Sequence, residues 1–452
     1  MSVAVFGLLA LPGSASPTAH QWEGSELVVE PLGGPLTVNG AAYRGRFLLR
    51  VEGGSVRLVN EVAVEDYVRG IREMPPSWPI EAQRAQAIAA RSYALHQAVA
   101  ARQEGRTSDL CATAACQVYG GIAAEQRGGA AWARATDSTA AQVLAYRGAP
   151  ILAMYSSSNG GSSVAASKPY LRSVPDPDDA ASPHHRWEVE VPDAAVGAAV
   201  DLPEGAQLTG VQRDGGVVVA TWEGPLPDVP PTARPIPIAE FRARLEAAHP
   251  PPPGLPRLLP STAFGMKAAS VPGYVMIEGR GWGHGVGMSQ FGALGKARRG
   301  LDARRILAAY YAGLTPVESA PGQLPETLRV EIAAASTLDL GGQGAFRVVA
   351  DGAGIATGRG LTGWKVGVRR GRLLLTAPQG WQPVQSADPP VVSDPFELAA
   401  ARPSSPPLAF VAARTSAEPD VWSALALTLL VAVAAAALRL RTRPDQAVFP
   451  RG

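Results

Sequence analysis

A chain of 452 residues carrying a formal charge of +2 is long enough to bury a large core and to hold more than one domain. Charge so close to balance gives no footprint for nucleic acid as the partner. Arginine far outnumbers lysine, and Ala, Gly and Pro abound, which reads as the coding bias of a GC-rich genome and names no function.

The chain opens with an apolar run, VAVFGLLAL, and small residues around Ala15 and Ser16. Residues 1–19 are therefore expected to be an export signal, and its missing basic start places the true initiator upstream. From Glu26 to Val64, apolar and polar positions alternate between the turn signals LGGP, VNGA and EGGS, the pattern of antiparallel strands. A short helix is expected over Asp66–Glu73, ended by Met74-Pro75-Pro76. A long helix should start near Pro79, with Glu81 suited to its positive end, and run to about Arg102. On that helix Arg84 and Arg91 fall within about 20° of one another, on a face shared with Ile88 and Leu95. Charges avoid an apolar stripe, so the two arginines either pair in the core or point into a cleft, and the cleft is the preferred reading.

Cys111 and Cys116 are separated by four residues, and in an exported chain that spacing favours a local disulfide. Trp187–Pro260 reads as strands followed by a short helix, IAEFRARLEAAH. The segment from Gly279 to Ala293, GRGWGHGVGMSQFGA, is too rich in glycine for a core strand and suits close backbone approach to another surface. No Lys-Ser/Thr follows its glycines, and it has no HExxH spacing, which excludes a phosphate loop and a zinc protease. A tight turn with a structural His284 is its plainer reading.

Beyond Pro316, LRVEI, FRVVA, KVGVRR and RLLLTA predict a small β module over residues 328–380. Residues 383–419 form a proline-rich spacer. Val421–Leu438 is an uncharged apolar run just long enough to span a bilayer. Glu418 and Asp420 precede it and Arg439, Arg441 and Arg443 follow, so residues 439–452 should face the cytoplasm and the main domain the exterior. This predicts a single-pass protein of the cell membrane; an Ala-rich buried helix is the alternative.

The segment VEDYVRGIREMPPSWPIEAQRAQAIAARSYAL from Val64, taken with the glycine loop, resembles the family of stage II sporulation protein D and the amidase enhancer LytB. CQVYGG at Cys116, YSSSNGG at Tyr155, PYLRSVPDPDD at Pro169, LPSTAF at Leu259 and ILAAYYAGL at Ile306 follow in the family's order. The resemblance covers roughly Tyr43–Pro316 and implies a family domain over residues 26–320. The expected fold is α+β: a mixed catalytic region, the small β module and the C-terminal transmembrane helix.

Glu73, at the end of its expected helix, would face the negative pole of the helix dipole, which with partial burial raises a carboxyl pKa. A general acid for glycosidic cleavage needs that, whereas a surface Glu at a helix end is the plainer reading. The resemblance implies the first role, because Glu73 matches the catalytic Glu of the sporulation protein, a lytic transglycosylase. It also matches Arg84 and Arg91 to basic positions around the active site, where they would hold the lactyl carboxylate of the substrate or tune Glu73; Arg84 replaces the commoner lysine. Tyr155, His284, Ser289 and Gln290 are expected to line a sugar groove formed where the Glu73 segment meets the glycine loop. Some family members hold zinc with cysteines and histidines near Cys111 and Cys116. Here only His96 is near, which leaves a four-ligand shell incomplete, so the disulfide is preferred, zinc stays a minor alternative, and no other cofactor is expected. The implied reaction cleaves peptidoglycan glycan strands to 1,6-anhydro ends, and the other class of function in the family is a scaffold that stimulates a cell-wall amidase.

Overall fold

The computed structural model describes residues 20–381 apart from Arg72, residues 225–231, Gly254, Pro256, Pro321 and Gly380. The expected export signal, spacer, membrane helix and cytoplasmic tail lie outside the described residues. Among the described residues no helix is long and apolar enough to cross a membrane. The fold is mixed α+β, with helices and mostly antiparallel sheets.

Strands from the two ends of the described chain build two sheets over one core. One sheet has the order 353–359, 345–350, 26–31, 46–52, 55–63, 327–335 and 110–111. The other runs 21–24, 372–376, 364–369, 337–342, 36–38 and 41–43. Registers such as Leu27 with Ala350, Val38 with Leu340 and Gln21 with Thr376 interleave the segments. The expected separate β module at residues 328–380 is therefore corrected. Its strands pair with the N-terminal ones, and Phe346, Val348, Trp364 and Leu375 share a core with Leu27, Phe47 and Leu58. Alternation reports that a segment is a strand but not which distant strand it joins.

Helix α1 (Val64–Arg69) follows the strand 55–63 directly. It stops at Gly70, where a Cβ would fall 2.4 Å from the Tyr119 ring, and Ile71 pairs with Tyr119 in an isolated bridge. Helix α2 (Ile80–Gln103) matches its prediction within a residue, and its alanines, with Ala82, Ala85, Ala87, Ala89 and Ala90 fully buried, let neighbours approach closely. Helix α3 (Gly121–Asp137) is broken at Gly129.

Helices α4 (Asp193–Ala199) and α5 (Ile238–Ala248) cover two three-stranded sheets in the middle region. Val196, Phe241, Leu245, Trp222 and Ile277 form a core of their own there. The strand Tyr274–Gly279 leaves that core as the glycine loop begins, and the loop delivers the chain to α6 (Gln290–Arg298) and α7 (Ala303–Tyr310). Both pack against α2, so the glycine loop meets the segment that precedes α2.

Candidate active site

Because α1 stops at Gly70, Glu73 sits outside any helix, and Met74, the residue before Pro75, avoids helical backbone. Its Oε1 accepts a hydrogen bond from the Val118 backbone N–H at 2.9 Å. Its Oε2 accepts one from the Tyr155 hydroxyl and a long one, 3.5 Å, from Gln86 Nε2. Burial pushes the Glu73 pKa up, while the donors Tyr155 and Val118 pull it part of the way back. Of the two expected causes, burial stands and the helix pole does not: desolvation raises this pKa, and α1 ends at Arg69, several residues before Glu73. The residue keeps some solvent-accessible surface, but protein atoms surround the carboxyl closely enough for desolvation to dominate.

A second layer fixes those donors. Gln117 Nε2 donates to the Tyr155 hydroxyl at 2.8 Å, and the Tyr67 hydroxyl donates to Gln117 Oε1 at 2.9 Å. Gln290 Nε2 donates to Gln86 Oε1 at 3.3 Å. Burial, then the neighbouring Glu73 charge, raises the Tyr155 pKa well above the ordinary phenol value, so Tyr155 stays a neutral donor. Tyr155→Phe removes a bond that favours ionised Glu73. We expect it to move the alkaline limb of any Glu73-dependent pH–rate profile upward, with turnover reduced, as read from initial rates across pH.

Three depressions, of about 420, 210 and 350 Å³, share Glu73. Among their described lining residues it is the only carboxylate. Trp78 and Phe291 pack edge to face with centroids 5.0 Å apart in one wall, and Trp282 lines two of the three depressions. The result is a groove with aromatic walls and one acid at its centre, the pattern of a site that binds apolar ring faces and orients them with a few polar groups. A roomier depression of about 520 Å³, lined by Glu81, Arg84, Asp302 and Glu318 among others, does not include Glu73.

The structure brings Tyr155, His284 and Gln290 to the Glu73 groove. His284 lies open to solvent at its wall, with Nδ1 accepting from the Val286 N–H at 3.0 Å. Enough protein surrounds the exposed ring that desolvation lowers its pKa. Ser289 is fully buried and faces away: it caps α6 by accepting from the Gly292 N–H at 2.9 Å and donates to Asp179 Oδ1 at 2.5 Å. Cys111 and Cys116 form a disulfide with Cα atoms 5.6 Å apart, and Cys116 lines the groove just before Gln117 and Val118.

The cleft reading of the two arginines is corrected. Arg84 pairs with Glu81 at 2.6 Å and bonds Ser138 at 3.0 Å, in the depression away from Glu73. Arg91 is 1 % exposed and binds both carboxylate oxygens of Glu65, at 2.9 and 2.6 Å, and the Gln142 carbonyl at 3.2 Å. A buried charge on an apolar helix stripe has here found a half-exposed partner at the rim of the core. Arg91→Met is expected to lower stability by on the order of 2–3 kcal/mol, the scale of lost charge-assisted bonds, with activity per folded molecule unchanged; thermal melts beside rate measurements check it.

Sequence reading assigned no role to the acids of PDPDD. Asp179 accepts from Ser158 Oγ at 2.7 Å, the Asn159 and Gly160 N–H groups at 3.0 and 2.9 Å, His185 Nδ1 at 2.9 Å, and Ser289. Asp176 accepts from Asn159 Nδ2 at 2.8 Å, Lys296 Nζ at 2.5 Å and the Tyr310 hydroxyl at 2.6 Å. These two buried acids tie the YSSSNGG segment to α6 and α7. Tyr155 and Ser156 then pair in parallel with Met288 and Ser289, an approach that needs Gly287 at φ +72°, where a Cβ would fall 2.0 Å from the Met154 carbonyl oxygen.

Comparison with known proteins places this geometry. Residues 52–146 match the family model described as stage II sporulation protein. The chain is 30 % identical over 306 residues to an uncharacterized protein of Brachyspira hyodysenteriae, covering 62 % of this chain and 74 % of that protein. Stage II sporulation protein D of Bacillus subtilis is 30 % identical over 278 residues, 56 % of this chain and 74 % of its own length. The amidase enhancer of Bacillus subtilis is 27 % identical over 285 residues, 54 % of this chain, which spans only 39 % of that relative. The chain belongs to the family of stage II sporulation protein D and the amidase enhancer LytB.

Proposed function

We propose that this protein is a lytic transglycosylase that cleaves the β-1,4 bond between N-acetylmuramic acid and N-acetylglucosamine in glycan strands stripped of stem peptides. The observation that carries the reading is that, among the described lining residues, one carboxyl stands at the junction of the three depressions. Hydrolases that retain or invert need a pair of carboxylates flanking the scissile bond. One carboxyl is enough when the substrate supplies its own nucleophile.

In the proposed cycle, protonated Glu73 gives its proton to the glycosidic oxygen as the bond from the muramic C1 breaks. The muramic C6 hydroxyl then attacks C1, and Glu73 takes the hydroxyl proton as the new C1–O6 bond forms. The carboxyl ends protonated, the products are a 1,6-anhydro end and a free 4-hydroxyl, and no water is consumed. A raised pKa keeps the acid form available, and Tyr155 and Val118 stabilise the ionised form between the two proton transfers. Tyr155, His284 and Gln290 supply hydrogen bonds along the groove, and the aromatic walls take the sugar faces.

The similarity to the amidase enhancer favours a second reading, in which the groove binds strands without cutting them and a cell-wall amidase is the partner. Both readings place the domain at the cell wall. The apolar segments at residues 1–19 and 421–438 support export and membrane anchoring. Incubating the full chain with denuded glycan strands, and separately with an amidase on peptidoglycan that keeps its stem peptides, separates the two: 1,6-anhydro-muramyl products from the denuded strands establish the enzyme, and uncut strands with faster release of stem peptides by the amidase establish the enhancer.

A further inference from the structure

Among the described residues that line the groove, one cation has no task assigned. Among the described residues lining the three depressions, Arg127 is the only permanent positive charge, and desolvation lowers the pKa of His284. Arg127 is exposed near the end of the first half of α3, and it lines the depression it shares with Glu73, Met74 and Pro75. Its guanidinium reaches towards Gly120, where a Cβ would stand 3.7 Å from Nη2. Gly120 is two residues from Val118, whose N–H holds Glu73. The nearest acid in sequence, Glu125, is already taken by a two-pronged bond to Arg44, at 3.0 Å on each oxygen. No described residue forms an ion pair with Arg127. Beside it Trp132 is fixed, 5 % exposed and donating from Nε1 to the Arg69 carbonyl at 3.1 Å.

A guanidinium with no ion-pair partner among the described residues, sharing a depression with a rigid indole and with no described charged neighbour there but the titratable Glu73, is suited to a carboxylate carried on a ring. The planar fork binds both oxygens at once, and the indole face packs the apolar ring edge. Muramic acid differs from glucosamine by one lactyl ether that bears such a carboxylate.

We propose that Arg127 is the specificity-determining residue of the groove and pairs with the lactyl carboxylate of the muramic acid ring. The inference rests on the glycan-strand reading above and assigns to Arg127 the contact that Arg84 and Arg91 are not placed to make. The test uses the full chain carrying Glu73→Gln, so that ligands persist, and compares binding by calorimetry. The probes are denuded muramyl oligosaccharides and chito-oligosaccharides of equal length, which lack the lactyl group. Arg127→Gln should weaken muramyl binding about tenfold, the worth of a charge-assisted pair at a partly open site, and leave chito-oligosaccharide binding unchanged. Arg127→Lys should recover part of the loss. Equal losses on both ligands, or no loss on either, overturn the proposal. If the native chain yields no anhydro products while the muramyl preference still depends on Arg127, the reaction reading fails and the subsite stands.

Discussion

Glu73→Gln should abolish formation of anhydro products, with a loss of at least about a thousandfold, because the amide keeps the shape of the carboxyl but cannot relay a proton. Folding should survive, since the amide oxygen can still accept from the Val118 N–H and no charge is buried. The pH dependence of stability carries a further mark. Burial raises the Glu73 pKa in the folded protein, so its contribution to stability is complete below the ordinary glutamate pKa and is lost as pH rises through the raised value. The glutamine variant should therefore match the parent in acid and be more stable near neutrality. Turnover within tenfold of the parent, measured on the same folded material, would remove Glu73 from the chemistry.

The largest loss of stability should come from Asp179→Ala. The carboxylate is fully buried and receives five hydrogen bonds from three segments, and their removal strands buried donors at Ser158, Asn159 and Ser289 and a half-buried one at His185. A cost on the order of 3–5 kcal/mol follows, the range for breaking a buried charged network on one side. Burial by itself would push the Asp179 pKa up, but the bonds from Ser289, His185, Ser158 and the Asn159 N–H outweigh it and hold it below the ordinary value. This contribution is therefore present above the unfolded aspartate pKa and is lost as pH falls through the lowered one. A thermal midpoint at neutral pH that stays within about a degree of the parent would contradict the account.

Elements with strong local signals were legible in the sequence: the alternating strands before α1, α2 from Pro79 onward, and α5. Glu73 was singled out through its family position, and of the two reasons given for its raised pKa burial holds while the helix pole does not. A helix predicted up to Glu73 ends instead where Gly70 meets Tyr119, a contact between residues almost fifty positions apart. The same limit hid the pairing of the C-terminal strands with the N-terminal ones and the partner of Arg91. A helical wheel shows which face a charge lies on, but not that Glu65 waits opposite it. Asp176 and Asp179 were visible as a dense acidic motif, and what sequence could not supply was the set of donors that converge on them. Arg127 had no local signal at all, since its interest comes only from sharing a depression with Glu73.

The central claim is that one carboxyl drives an intramolecular transfer without water. Cleavage of denuded strands by the full chain in water enriched in oxygen-18, followed by mass spectrometry of the new ends, tests it most directly. The account predicts 1,6-anhydro ends with no label incorporated; reducing ends that carry oxygen-18, or strands left uncut, would contradict it.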